Sequence, residues 1–148
     1  DTDFGGVFTL DGTVYDTETD AGGDLSVDLW WTAPEAPELD YSIGHYLLDD
    51  NGAVIAETNL SLVTADNPGY RYTLADGLTF RVPDYAERPT SGWLPDTIIY
   101  SGYTLAVPSR TPPGDYSLEI AVYHFETPDE PLRIDGETRY AMGTVAVD

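Results

Sequence analysis

The sequence predicts an all-β fold, an antiparallel β-sandwich of the Ig-like or jelly-roll-like type with an inserted β-hairpin. Apolar and polar residues alternate along several short segments, as in strands with one buried face, and helical periodicity is scarce. Eleven tyrosines, eleven prolines and fourteen glycines are typical of short strands joined by many turns. The 148 residues correspond to a single domain that can bury a core of its own.

The strands follow from the alternation, taken in chain order. We expect strands at Phe8–Val14, Leu25–Trp31, Tyr41–Leu48, Ala53–Asn59, Ile99–Val107, Tyr116–Val122 and Tyr140–Val147. An acidic turn at Asp16–Asp24 separates the first two, and prolines 34 and 37 end the second. Asp49-Asp50-Asn51-Gly52 is a strong hairpin-turn signal. Six to nine short antiparallel strands with turns at this spacing predict a sandwich.

Two adjacent tryptophans lie in the second of these strands. Trp31 shares a face with Leu25, Val27 and Leu29, whereas Trp30 points to the opposite face. We therefore expect Trp31 in the core. Three interpretations of Trp30 stay open: it is covered by a neighbouring part of the chain, it is a platform for a ligand, or it contacts a partner.

The charge balance restricts the partners. The chain has 27 acidic residues against six basic ones, all arginine, and a net charge of −21. Such a charge repels nucleic acid and anionic membrane surfaces, and it indicates either a solvated exterior or a surface that collects cations.

No apolar run is long enough to span a bilayer, so we expect no direct membrane insertion. Because the chain starts at Asp1, we expect a mature or excised piece of a longer protein.

Four ordered sequence elements resemble a known family. They are Leu29-Trp30-Trp31-Thr32-Ala33, Asp40-Tyr41-Ser42-Ile43 leading to Leu48-Asp49-Asp50-Asn51-Gly52, Pro89-Thr90-Ser91-Gly92-Trp93, and Pro112-Pro113-Gly114-Asp115-Tyr116-Ser117-Leu118. The set resembles a soluble β-sandwich accessory domain that is appended to bacterial, Chloroflexi-type, polytopic membrane glycosyltransferase-like proteins. The resemblance covers residues 6–59 and 88–147. Where that family usually has a glycine soon after the last tryptophan, this chain has Leu94-Pro95-Asp96.

The resemblance implies a location and a parent protein. It implies an extracytoplasmic domain on the cell surface or the periplasmic side. Any catalytic part would belong to the membrane-embedded region of the parent protein. It implies no catalytic residue in this chain. Residues 60–86 form an insertion that the resemblance does not cover, and we expect this insertion to contain an extra hairpin that turns at Asp76-Gly77.

The insertion and its edge carry most of the function-like residues. Half of the arginines and several aromatic residues fall in this short stretch: Tyr70, Arg71, Tyr72, Phe80, Arg81, Tyr85 and Arg88. Aromatic rings stack on the apolar faces of sugars, and arginines bind hydroxyl groups. We therefore predict that Trp30, Tyr70, Arg71, Tyr72, Arg81, Tyr85 and Arg88 bind a ligand. The alternative is an amphipathic hairpin that folds over the sandwich and covers Trp30.

Metal binding and catalysis find less support. Asp16, Glu18, Asp20 and Asp24 alternate as in a calcium loop, and we name them as candidate metal ligands, although Ala21 and Val27 break the EF-hand pattern. The alternative is a solvated acidic turn. Calcium is therefore the one possible cofactor. Of the two histidines, His45 and His124, neither is brought by the sequence to a serine with an orienting acid.

Three hypotheses follow for the function. The leading one is a non-catalytic, extracytoplasmic accessory module that binds a glycan and is associated with a membrane glycosyltransferase-like protein. The second is a protein-interaction or spacer domain with no small-molecule ligand. A hydrolytic enzyme comes last, and we predict that the chain is not an enzyme.

Overall fold

A computed structural model describes residues 1–63 and 89–148, together with the backbone of Arg71–Thr73 and Thr79–Arg81. The described residues form eleven strands and one short 3₁₀ turn. The strands are β1 (Thr2–Phe4), β2 (Phe8–Tyr15), β3 (Glu18–Thr19), β4 (Asp24–Thr32), β5 (Tyr41–Leu48), β6 (Val54–Ser61), β7 (Arg71–Thr73), β8 (Thr79–Arg81), β9 (Ile99–Ala106), β10 (Gly114–His124) and β11 (Tyr140–Val147). The 3₁₀ turn spans Thr90–Gly92.

Two sheets pack against each other, which confirms the predicted β-sandwich. A four-stranded sheet has the order β1-β2-β4-β9, and a five-stranded sheet has the order β3-β11-β10-β5-β6. Buried residues from both sheets form one core. β1 and β3 were not expected from the sequence, because segments of two or three residues are too short to show alternation. Glu18–Thr19 pairs in parallel with β11, so the acidic turn contains a short edge strand.

The tryptophan pair divides between the two faces of β4 as predicted. Leu25, Val27, Leu29 and Trp31 are all fully buried, and the residues between them are half-buried or exposed. The Trp31 indole Nε1 donates a hydrogen bond of 3.0 Å to Ser101 Oγ on β9. Trp31 also makes edge-to-face contacts with Phe4 and Phe8, at 5.2 and 5.8 Å between ring centroids. This aromatic cluster joins β1 and β2 to β4.

The family-like elements have structural roles in this chain. The Thr90 hydroxyl donates to the Leu39 carbonyl at 2.6 Å and accepts from the Tyr41 amide at 3.0 Å, which ties the 3₁₀ turn to the start of β5. The Tyr116 hydroxyl donates to the Pro112 carbonyl at 2.7 Å and so closes the turn before β10. Trp93 is buried in the core. These residues therefore stabilise the fold.

The turn between β5 and β6 forms where the sequence predicts it. The Asp49 Oδ1 atom accepts hydrogen bonds from the amides of Asn51 and Ala53, both at 2.9 Å. Gly52 has a φ of 79°, a left-handed conformation that glycine adopts without strain. The turn therefore fixes the register in which β6 returns along β5.

Within the insertion, β7 and β8 form an antiparallel pair. Tyr72 lies opposite Phe80, and Arg71 lies opposite Arg81. The predicted turn at Asp76-Gly77 lies outside the described residues. Among the described residues, no helix has the length and apolar character needed to cross a membrane.

Candidate functional site

Trp30 lies half-buried on the outer face of the four-stranded sheet. Its ring packs against the Tyr100 ring on β9, with centroids 5.5 Å apart and a tilt of 52°. The Tyr100 hydroxyl donates to Asp28 Oδ1, and burial together with this bond raises the pKa of Tyr100. A side chain on Gly102 would collide with the Tyr100 hydroxyl, so the hydroxyl end of Tyr100 occupies the space above the glycine. Trp30 is thus partly covered by an aromatic residue of the adjacent strand.

The predicted ligand residues of the insertion are only partly described. Arg71, Tyr72 and Arg81 lie on the paired strands β7 and β8, for which only the backbone is described. Tyr70, Tyr85 and Arg88 lie outside the described residues. Their binding role stays a prediction.

The acidic turn does not bring its carboxylates together. Asp16 accepts a hydrogen bond of 2.8 Å from the Ser26 amide, and Glu18 lies on β3 beside β11. Asp20 and Asp24 are exposed. Across residues 1–63 and 89–148, no three His, Cys, Asp or Glu side chains form a group that could hold a metal ion. The pairing of β3 with β11 extends the turn along the sheet edge, and this explains why the four acids do not converge.

His45 lies in the core, where it cannot reach a substrate. Its ring packs against Tyr103 at 4.8 Å between centroids, and neither ring nitrogen has a hydrogen-bond partner among the described residues. Burial lowers the pKa of His45 to about 4. The ring is therefore neutral at pH 7. His124 is half-buried at the end of β10 and contacts the Phe125 ring.

A cleft of about 200 Å³ lies on the outer face of the five-stranded sheet. Its lining residues are Tyr46, Ala121, Tyr123, Pro128, Asp129, Pro131, Thr138 and Arg139. Tyr46 belongs to β5 and Tyr123 to β10, and these strands are paired. The remaining walls come from the connection between β10 and β11. This outer-face cleft combines aromatic rings with polar groups, as small-ligand sites do.

Two small residues lie on the outer face of the sheet beside the cleft tyrosines. Gly44 lies opposite Ala121 on β10 and opposite Asn59 on β6. A side chain on Gly44 would collide with the Tyr46 hydroxyl, so the Tyr46 ring lies over the glycine. The space above Gly44 is therefore filled by the Tyr46 side chain, while the small Ala121 side chain lines the cleft.

One asparagine joins the two tyrosines. The hydroxyl groups of Tyr46 and Tyr123 both donate to Asn59 Oδ1, at 3.4 and 2.9 Å. The Asn59 amide nitrogen donates to Glu57 Oε2 at 3.0 Å. A carboxylate only accepts hydrogen bonds, so Glu57 determines which way the amide points. The network therefore holds both rings in a defined orientation.

Arg139 covers one face of Tyr46. Its guanidinium carbon lies 4.1 Å from the centroid of the ring, and its Nη1 lies 4.0 Å from Glu119 Oε1. A guanidinium stacked on an aromatic ring keeps its edge donors available for hydrogen bonds.

The connection that carries Arg139 is anchored to the sandwich. The Leu132 amide donates to the Val122 carbonyl at 2.8 Å. Ile134 and Glu137 exchange backbone hydrogen bonds of 2.9 Å, and the Ile134 side chain is buried. These bonds fix the wall of the cleft opposite the two tyrosines.

Both cleft tyrosines remain protonated at neutral pH. Burial raises the pKa of Tyr46, with a further rise from Tyr123 and Glu57 and an opposing effect of Arg139. Burial and the nearby Glu57 raise the pKa of Tyr123. The two phenols are therefore hydrogen-bond donors, as the contacts with Asn59 require.

The residues of this cleft are not among those predicted from the sequence. A signal was present, because Tyr46 and Tyr123 alternate with mainly apolar residues along their strands and so are expected on the outward face. What the sequence does not show is that β5 and β10, about 75 residues apart in the chain, are neighbours in the sheet. The strand order therefore creates the site.

These features define a β-sandwich domain with an aromatic-lined cleft on one outer face. Comparisons with known proteins agree on the fold. The C-terminal domain of wzt has a TM-score of 0.51 and 12% sequence identity, and the alignment covers 99% of this chain and 75% of that one. A beta-glucuronidase from glycoside hydrolase family 2 also has a TM-score of 0.51, with 11% identity.

The second alignment covers 89% of this chain and 11% of the beta-glucuronidase, so the chain corresponds to a small part of that enzyme. No protein-family model matches the sequence, and no curated protein matches it. At these identities the likeness shows the β-sandwich fold.

Proposed function

We propose that this chain is a non-catalytic glycan-binding module and that the outer-face cleft is its binding site. The observation that carries the proposal is the pair Tyr46 and Tyr123, held by Asn59 beside Arg139 and Asp129. Aromatic rings bind the apolar faces of sugar rings, while carboxylate, amide and guanidinium groups bind the hydroxyls. The cleft supplies both kinds of contact within one small space.

The size of the cleft favours a short ligand. Its volume of about 200 Å³ is below the roughly 300–1,000 Å³ of pockets for drug-sized molecules. One sugar ring or the end of a glycan chain is a suitable occupant. One protein with a similar fold is the beta-glucuronidase from glycoside hydrolase family 2, and this similarity is in keeping with a carbohydrate ligand. A protein-interaction or spacer domain is the alternative, and the binding experiment below distinguishes the two.

In this proposal the module lies on the extracytoplasmic side of a bacterial membrane and is appended to a glycosyltransferase-like membrane protein. The support is the ordered set of family-like elements, from Leu29–Ala33 to Pro112–Leu118. The net charge of −21 supports a role away from nucleic acid and anionic lipid.

Replacing either cleft tyrosine by alanine is expected to weaken glycan binding at least about tenfold, because Tyr123 offers its ring to the sugar and Tyr46 holds the stacked Arg139 in place. The measurement is a glycan array with the whole chain, followed by calorimetric titration of the best ligand with Tyr46→Ala and Tyr123→Ala. Trp30→Ala is the control, since Trp30 lies on the other sheet. Loss of binding in Trp30→Ala with retention in both tyrosine variants would contradict the assignment.

A second variant tests the site without removing an aromatic ring. Gly44→Ala places a methyl group against the Tyr46 hydroxyl and displaces that ring, while both tyrosines stay in the sequence. We expect weaker glycan binding with thermal stability close to that of the parent chain.

Binding is expected to be equal in calcium and in EDTA, because the acids of Asp16–Asp24 do not converge. If no glycan binds under any condition, the spacer or protein-contact role replaces this proposal.

A further inference from the structure

The polar groups around the outer-face cleft are mainly hydrogen-bond acceptors. Tyr46 and Tyr123 each use their single hydroxyl hydrogen on Asn59 Oδ1. Only the lone pairs of their oxygens are then left for a ligand. One hydrogen of the Asn59 amide is directed to Glu57. Apart from the Arg139 guanidinium, which keeps its edge donors, these groups favour a ligand that supplies hydrogen-bond donors.

Carboxylates add to this excess of acceptors. Asp129 lines the cleft, while Glu119 and Glu57 lie directly across from Tyr46 on the two neighbouring strands. Asp129 is exposed, and it makes no ion pair or side-chain hydrogen bond with another residue in the described ranges. Its charge is thus available to a ligand in the cleft, which Tyr123 also lines.

The same face already holds one cation of its own. Arg139 stacks on Tyr46 and approaches Glu119, so an aromatic ring and a carboxylate together accommodate a positive group there. Tyr123 and Asp129 both line the cleft, which therefore contains a second ring and a second carboxylate, and no cationic side chain is stacked on Tyr123 among the described residues. A second ring and a second carboxylate in the same cleft are suited to a second positive group.

From this we infer that the cleft recognises a sugar with a free, protonated amino group, whose ring stacks on Tyr123 and whose ammonium group binds Asp129. The inference rests on the glycan-binding function proposed above and names its ligand class. An ammonium group has three donors and no acceptor, so it complements a face that offers mainly acceptors. An N-acetylated sugar lacks the charge, and a uronic acid would bring a negative charge to a chain of net charge −21.

The test compares two probes that differ only at nitrogen, the β-1,4-linked tetrasaccharides of glucosamine and of N-acetylglucosamine. Both are titrated calorimetrically into the whole chain at physiological ionic strength, at a pH where the glucosamine amines are protonated. We expect the glucosamine form to bind about tenfold more tightly, since charge-assisted hydrogen bonds are the stronger ones. Asp129→Asn is expected to remove most of this preference.

A control is needed because any polycation is attracted to an acidic protein. Asp115→Asn removes the same charge at an exposed position outside the cleft, at the start of β10. The inference is supported if Asp129→Asn loses the preference and Asp115→Asn keeps it. Equal losses in the two variants would assign the preference to the general surface charge and overturn the inference.

The two proposals can fail separately. If both tetrasaccharides bind with equal affinity and Tyr123→Ala weakens both, the amino-sugar inference is wrong and the glycan-binding function stands. If the two tetrasaccharides and the glycan array all show no binding, the glycan-binding function itself fails.

Discussion

Trp31→Ala is expected to lower the free energy of unfolding by about 3–5 kcal/mol, the cost typical of truncating a large buried aromatic residue. Trp31 is fully inaccessible to solvent and contacts Phe4 and Phe8 edge to face. Its removal leaves a cavity between the sheets. It also leaves the buried Ser101 hydroxyl without its indole donor. Denaturant unfolding followed by circular dichroism at pH 7 measures the loss.

Trp30→Ala is the matched control for this experiment. The change in side chain is identical and the position is adjacent, but Trp30 is half-buried on the outer face of the sheet. We expect a loss of less than about 2 kcal/mol, because part of its surface is already in contact with water. Equal losses for the two variants would contradict the assignment of the two faces of β4.

His45 is expected to make the fold sensitive to acid. Its pKa is about 4 in the folded chain and near the ordinary value of 6.5 in the unfolded one. As the pH falls from 6.5 to 4, the unfolded chain takes up a proton that the folded chain does not bind. The contribution of His45 to the free energy of unfolding is therefore complete above pH 6.5. It is lost as the pH falls, by up to about 3 kcal/mol.

His45→Phe isolates this contribution from the many carboxylates. Phenylalanine keeps a ring against Tyr103, does not titrate, and removes two buried nitrogens without partners in the described part of the chain. We expect the variant to be at least as stable as the parent at pH 7. Its advantage should grow by about 3 kcal/mol between pH 7 and pH 4. The carboxylates titrate in both proteins and cancel in the difference, so a constant advantage would show that His45 does not titrate in this way.

The two types of experiment address different parts of the molecule. Trp31 and His45 lie between the sheets, whereas Tyr46 and Tyr123 lie on an outer face. His45 nevertheless stands between Gly44 and Tyr46 on β5. Binding measurements on cleft variants are therefore best made well above pH 4, where the folded histidine is uncharged, and about pH 6 meets this condition with the glucosamine amines protonated.

Much of the fold could be predicted from the sequence, for identifiable reasons. Alternation over eight or nine residues predicts the long strands β4, β5 and β9, and it separates Trp31 from Trp30. The turn at Asp49–Gly52 could be predicted because its residues form the required hydrogen bonds and left-handed backbone locally. The short strands β1 and β3 could not, because they exist only through their pairing with β2 and β11.

The candidate site could be predicted less well. The sequence favours Trp30 and the insertion because aromatic residues and arginines are concentrated there along the chain. The outer-face cleft is instead assembled from residues 46, 59, 123, 129 and 139, which are dispersed along the chain. No local pattern indicates that these residues meet.

The sequence by itself determined the class of the fold, the division of β4 into a buried and an outer face, and the acidic character of the surface. These properties depend on residue periodicity, turn-forming residues and composition, which are all features of the sequence before it folds. Only the tertiary structure decided which strands are neighbours, and with them the outer-face cleft and the burial of His45. The physical reason is that strand pairing joins distant segments, so a group's surroundings, and hence its pKa and its partners, do not exist until the sheets have formed.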